Sequence, residues 1–185
     1  MRKGRISIVA ALAMLPMLAS ADPIIWGGNG HGYEAFGVEG GITWEDARAA
    51  AEAMGGYLAT ITSEEENEFI SDVLGVGSTA YWLGGFQEPG TDEPNGDWQW
   101  VTGEAFSYTN WASGEPNNLT GGNEDALAFA YFSATPGEWN DAPSGFLYGD
   151  NLGGYVVEFE VSEPGTLALL GLGLLAAGYG GRRKR

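Results

Sequence analysis

The chain has 185 residues, with 25 Asp and Glu against eight Lys and Arg, one histidine and no cysteine. That composition excludes a disulfide scaffold, thiolate metal sites and a cysteine nucleophile, and leaves His31 as the only imidazole for any catalytic triad. A formal net charge of −17 excludes nucleic acid as a partner, because its phosphates would be repelled.

Residues 1–21 have the order of a secretion signal: Arg2, Lys3 and Arg5, an apolar stretch from Ile6 to Leu18, then the small-x-small site Ala19-Ser20-Ala21. A short membrane anchor is the alternative, but the stretch is brief beside the roughly 20 residues of a membrane span. Residues 22–162 then read as one domain, rich in Trp, Tyr, Phe and Gly rather than Leu. Between Asp22 and Glu163 lie all 25 acids and a single base, Arg48, so this stretch carries −24. Such a charge attracts cations and repels anionic membranes; it also serves solubility.

Thr43 caps a first helix, "WEDARAAAEAM", with Asp46 three residues on and Gly55-Gly56 as the stop. Ser63 opens a second, with Glu66 at the capping-box position and Phe69, Ile70, Val73 and Leu74 forming one apolar stripe before Gly75. Glu64, Glu65 and Glu66 are therefore a helix start, favoured by the dipole, rather than a ligand cluster. After Gly75 come short strand patterns at 80–86, 97–101, 105–111, 126–132 and 155–161. Trp82, Trp98, Trp100 and Trp111 lie within these patterns and read as core aromatics. Polar loops at 87–96, 114–125 and 133–145 separate them, too long for hairpin turns and too polar for core. The fold class is α+β: two helices, then an antiparallel sheet with long irregular loops.

The last 23 residues, "EPGTLALLGLGLLAAGYGGRRKR", form a separate segment, 163–185. A Pro-Gly break precedes an apolar run too short for a comfortable span, and the basic end would stay cytoplasmic. One reading is a tail anchor. The other is a sorting signal, because the order of Glu-Pro, apolar run and basic end resembles the PEP-CTERM tail of exosortase substrates. That resemblance implies transient insertion in the inner membrane, removal by a sorting peptidase, and delivery to the outer surface or extracellular matrix.

The loop "GEPNNLTGGNED" poses the functional question. Glu115, Asn117 and Glu124, with Asn140 and Asp141 further on, offer only carboxylate and amide oxygens. Hard oxygen donors suit Ca2+ or Mg2+, and an all-protein cage of this type favours Ca2+, which takes about six to eight oxygens in loose geometry. A solvated acidic loop is the plainer reading of the same residues.

The order of motifs goes further. "TWEDARAAAEAMGGYLATITSEEEN", "YWLGG", "DWQWVTGE", "YTNWASGEPNN", "NEDAL", "EWND" and "YVVEFE" together resemble the C-type lectin domain over nearly all of residues 31–160. The resemblance implies a C-type lectin-like fold with a long Ca2+-binding loop region, and no enzymatic activity. It assigns Glu115, Asn117, Glu124, Asn140 and Asp141 to one Ca2+, and Glu115, Asn117, Glu124 and Asn140 to two neighbouring sugar hydroxyls as well. Pro116 would be cis. The EPN form resembles the mannose-type class, which takes vicinal equatorial hydroxyls as in mannose, glucose, N-acetylglucosamine or fucose. A second Ca2+ would draw on Asn118 and Asp125, with Asp92, Glu93 or Asp97 as further ligands. Trp139 would pack beneath the loop and aim Asn140 and Asp141.

The chain departs from that family in two respects. The usual disulfides are missing: Ala51 and Val157 stand where one would be, and Ala126 and Ser144 where the other would be, which implies that packing replaces them. The acid pair Glu124-Asp125 also comes one residue late after the EPN motif, near Gly121-Gly122. The expected partner is an extracellular or cell-surface carbohydrate. The rival expectation is a protein-binding or structural matrix module whose loops Ca2+ merely orders. A glycosidase lacks a separated acid and nucleophile among these residues.

Overall fold

The computed structural model describes residues 22–76, 80–90, 92–119, 123–129, 135–145 and 152–160. The secretion-signal and sorting-tail expectations lie outside the described residues, as does the Gly121-Gly122 stretch.

The element order is β1 (Ile24–Ile25), β2 (Gly32–Gly37), α1 (Trp44–Ala53), β3 (Tyr57–Leu58), α2 (Glu64–Glu68), a π-helical segment (Phe69–Val73), β4 (Ala80–Phe86), β5 (Gln99–Trp100), β6 (Ala126–Phe129), β7 (Trp139–Ala142) and β8 (Leu152–Phe159). One sheet runs β1-β2-β8-β4-β6-β7, with β3 added on β8 and β5 on β4. The expected α+β class holds, with one correction to the sheet: β4 and β8 pair in parallel while the other pairs are antiparallel. β8 enters beside β4 from the far end of the chain, so no hairpin dictates its direction.

Both helix starts follow their local signals. The Thr43 side chain accepts from the Asp46 N–H, and the Ser63 side chain from the Glu66 N–H. Glu66 itself departs from the capping-box expectation. Its carboxylate accepts from the Thr62 N–H and hydroxyl instead, and it is almost fully buried. The second helix is regular for only five residues before it widens into the π segment, which lays Asn67 and Ser71 against Gly137. Ile70 is buried as expected, but Val73 turns out to solvent, because the wider winding breaks the 3.6-residue stripe.

Two more sequence expectations are corrected, and three strands went unforeseen. Residues 105–111 form no strand beyond a single bridge from Trp111 to Trp139. Their alternating aromatics pack on the core, and the run meets a neighbouring backbone at its end, where the Asn110 carbonyl accepts from the Trp139 N–H. Residues 139–142, expected in a loop, are strand β7, paired along β6 with Asp141 opposite Leu127. Burial overrides polarity here: all four β7 residues are buried. The segments at 24–25, 32–37 and 57–58 carried too little alternation to be read as strands, yet β2 pairs with β8 over six residues.

The core divides in two. Ile61, Ile70, Leu83, Leu127 and the indoles of Trp98, Trp100 and Trp139 make one cluster. Trp44, Ala51, Trp82, Ala126 and Val157 make the other. Ala51 and Val157 are fully buried in that second cluster, so packing does occupy one of the missing disulfide positions. At the other, Ala126 is buried while the Ser144 N–H donates to Asp125 Oδ1 at 3.0 Å. Gly154 is required by contact: a Cβ there would sit 1.7 Å from the Phe36 carbonyl oxygen.

A buried polar knot joins the start of the chain to its end. Tyr33 Oη donates to Glu66 Oε1 at 2.5 Å, lies 3.0 Å from Glu158 Oε1, and accepts from Asn29 Nδ2 at 2.7 Å. His31 Nδ1 stands 2.6 Å from Glu158 Oε1, and the Thr60 N–H donates to Glu158 Oε2. Burial raises the Glu158 carboxyl above the usual range, and the bonds from His31, Thr60 and Tyr33 counter that rise. No periodicity marks such a knot, and the sequence reading missed it.

Candidate functional site

β7 supplies the floor of the site. Trp139 is fully buried, stacked edge-on by Trp100, Phe106, Tyr108 and Trp111, and its indole N–H donates to Asn67 Oδ1 at 2.7 Å. Asn67 and Asn110 both donate through their side-chain amides to the Gly137 carbonyl, fixing the turn that leads into the strand. The backbone of Trp139 bonds Asn110 and Ala112. Trp139 thus anchors both Asp141, two residues on, and the root of the 114–119 loop.

Asp141 is 1 % exposed, and its carboxylate gathers that loop. The Asn117 N–H lies 3.1 Å from each of its oxygens, and the Asn118 N–H donates to Oδ2 at 3.0 Å. The Leu119 N–H donates to Asn117 Oδ1 and to Glu124 Oε2, both at 2.7 Å. Glu124 is buried, and its own N–H donates to Asn118 Oδ1 at 2.7 Å. Asn140 precedes Asp141 on the strand and is also buried. The Glu115–Pro116 peptide is cis, as expected.

Glu115 completes the group. Its Oε2 is buried and has no hydrogen-bond partner. Its carboxyl is pushed up to about 7 from 4.5, first by burial, then by the hydrogen bond and charge of Asp141 and the charge of Glu124. The domain's one base, Arg48, is elsewhere: it bonds Glu52 at 3.1 Å and lies over the Trp44 and Phe86 rings. These are the features of oxygens that lack a counter-charge. They fit a hard dication, for which Glu115, Asn117, Glu124, Asn140 and Asp141 would be the ligands. Among the described residues no three acidic or histidine side chains are grouped so that they alone could hold a metal ion.

The residues assigned to a second cation are used differently. Asp125 gives Oδ1 to the Ser144 N–H, and its carbonyl accepts from the Gln87 N–H. Asn118, at a φ of 55°, donates through its side chain to Glu93 Oε2 at 2.7 Å. Of the three further acids considered, Glu93 reaches this loop, while Asp92 and Asp97 are exposed. Trp82, Trp98 and Trp100 are buried and Trp111 partly so, as core aromatics. Asn67 and Asn110, which hold β7 in place, were not foreseen, because a polar residue inside an acidic helix or loop carries no sign of burial.

Residues 41–148 match the family model of the lectin C-type domain, and residues 160–185 match the PEP-CTERM protein-sorting motif. A perlucin-like protein of Mytilus galloprovincialis is 42 % identical over 106 residues, which is 55 % of this chain and 62 % of the relative. Lectin BRA-3 of Megabalanus rosa is 36 % identical over 115 residues, 61 % of this chain and 64 % of the relative. The chain thus spans just under two thirds of the length of these curated relatives. Among solved structures, the C-type carbohydrate-recognition domain of cow CD23, crystallised with an oligosaccharide of N-acetylglucosamine and mannose, superposes with a TM-score of 0.54. It is 27 % identical, over 72 % of this chain and 88 % of that one.

Proposed function

The chain belongs to the C-type lectin domain family, a family of lectin domains rather than enzymes, and from that premise we propose that it is an exported Ca2+-dependent carbohydrate-binding module for vicinal diols of the mannose or glucose type. The observation that carries the reading is Glu115 Oε2, an unpartnered buried oxygen beside two further carboxylates, with the domain's single base engaged elsewhere. When bound, Ca2+ supplies the positive charge this group lacks and a place for a hydroxyl lone pair.

The residues of the chain do the rest. The carboxylates of Glu115 and Glu124 accept from sugar hydroxyls, and the amide groups of Asn117 and Asn140 donate to them. Asp141 holds the backbone of Asn117 and Asn118, and Trp139, two residues before it on β7, is the support of that strand. Asn118 and Asp125, with Glu93, are the proposed ligands of a second ion that would order the neighbouring loop. Residues 1–21 act as the secretion signal, 22–162 as the binding domain, and 163–185 as the sorting segment. That segment inserts transiently in the inner membrane before a sorting peptidase places the domain at the outer surface or in the matrix. A shallow two-hydroxyl site binds single sugars weakly, so repeated glycans or clustered copies supply the avidity.

The test is a glycan array run with Ca2+ and with EDTA, with Asn117→Asp alongside. Ca2+-dependent binding, reduced by excess mannose and altered by Asn117→Asp, is the expected result. Signal that survives EDTA would refute the reading. Ca2+-dependent retention that ignores mannose would favour a protein-binding or structural matrix module, in which the ion only orders the loops.

A further inference from the structure

Away from the site, one hydroxyl brings two buried carboxylates together. Tyr33 Oη stands 2.5 Å from Glu66 Oε1, on α2, and 3.0 Å from Glu158 Oε1, on β8. Their donors are unequal. Glu66 accepts from the Thr62 N–H and hydroxyl, from Asn29 Nδ2 and, at the shorter of the two contacts, from Tyr33. A phenol has one proton, so Tyr33 has none left for Glu158. Glu158 keeps the Thr60 N–H on Oε2, and on Oε1 it has His31 Nδ1 at 2.6 Å, a separation that takes a proton between the two atoms. The other titratable groups here bring no positive charge. Tyr57, on β3, places its hydroxyl 3.4 Å from His31 Nδ1, and Glu104 and Glu160 add only negative charge around it. The domain's single Lys or Arg, Arg48, is engaged with Glu52. His31 is therefore the one source of a counter-charge for the buried pair.

Asn29 and His31 both lie in the turn that joins β1 to β2. The turn is closed by the Gly30 N–H on the Trp26 carbonyl, the Trp26 N–H on the His31 carbonyl and the His31 N–H on Asn29 Oδ1. Little else fastens it: Trp26 meets Phe69 at 6.3 Å between ring centroids, and β1 is two residues long with both isoleucines exposed. We propose that the His31–Glu158 pair is a proton-operated clasp, which holds the 26–31 turn and β1 on the domain while the imidazole is charged and loosens as pH rises and that charge is lost. A neutral imidazole still donates through Nδ1–H, but Glu66 and Glu158 then share the interior with no positive neighbour. Glu158 acts in the same direction: burial raises its carboxyl above the usual range, so the proton it holds in the folded chain is lost as pH rises. A charge-assisted hydrogen bond is about twice as strong as a neutral one, which corresponds to a change of roughly five- to tenfold in the opening equilibrium of the turn.

The test is residue-resolved hydrogen exchange of the mature protein in EDTA at pH 5.5 and pH 8.5, corrected for intrinsic rates. The Trp26, Gly30 and His31 amides report the clasp, and the Ala59 and Gly84 amides report the core. Protection of the turn relative to the core should fall roughly five- to tenfold between the two pH values. His31→Gln keeps a neutral donor and should give the weaker protection at both. Glu158→Gln removes the charge that His31 answers and should also abolish the pH dependence, so either variant suffices if the other fails to fold. A wild-type ratio that does not change with pH would overturn the proposal, as would a pH-dependent ratio that survives in His31→Gln. Turn and core amides losing protection together would overturn it too, since that marks global unfolding rather than a clasp.

Discussion

Replacing Glu115 by Gln should stabilise the metal-free domain at pH 8 and remove its response to Ca2+. Burial, Asp141 and Glu124 raise the Glu115 carboxyl to about 7 in the folded chain, against 4.5 ordinarily. The folded state therefore holds a proton that the unfolded state has lost, and between pH 4.5 and 7 stability falls as pH rises. A tenfold change in proton affinity is worth about 1.4 kcal/mol, which sets a ceiling of about 3 kcal/mol. Glu115 is only partly buried, and water screens such terms severalfold, leaving about 1 kcal/mol, or roughly 3 °C in Tm for a domain of this size. Thermal unfolding in EDTA of both proteins at pH 5 and pH 8 measures this, the difference being small at pH 5 and favouring Glu115→Gln at pH 8. Ca2+ at about 100 times its Kd should add about 2.7 kcal/mol to the wild type at pH 8 and far less to the variant. A variant less stable than the wild type at pH 8 in EDTA would refute the charge-frustrated site. So would equal Ca2+ stabilisation of the two proteins.

Other outcomes follow from the packing. Trp139→Ala removes the hub of the aromatic cluster and the bond to Asn67, and should cost about 3–5 kcal/mol in urea unfolding, with Ca2+ affinity lost alongside. Tyr33→Phe leaves Glu66 and Glu158 without the hydroxyl between them and should lower stability by about 1–3 kcal/mol, with Ca2+-dependent binding retained once folded. Gly154→Ala drives a Cβ into the Phe36 carbonyl and should cost more than about 3 kcal/mol, read as a collapsed yield or an early urea midpoint.

Much of this architecture is legible one short window at a time. Thr43 and Ser63 cap their helices because a side-chain oxygen next to an unpaired N–H is a local event. The strand over 80–86 follows from its own aromatic content. The absence of cysteine, the single base in a heavily acidic domain, and the oxygen-only chemistry of Glu115, Asn117, Glu124, Asn140 and Asp141 also need no coordinates. Together with the order of motifs they reach the family.

What required the folded chain is whatever depends on partners distant in sequence. Residues 105–111 and 139–142 have opposite polarity and the opposite outcome. The first run meets a neighbouring backbone at its end, where Asn110 and Trp111 join Trp139, and the polar run is captured between β6 and that bridge. The parallel pairing of β4 with β8 and the knot of Tyr33, Glu66, Glu158 and His31 join segments far apart in the chain, and no local pattern encodes them. The same holds inside the site. The sequence names the oxygens, but only the folded chain buries Asp141 and leaves Glu115 Oε2 without a partner. Residue type sets which groups can bind a cation or a hydroxyl; burial and long-range contact decide which of them are left in need of one.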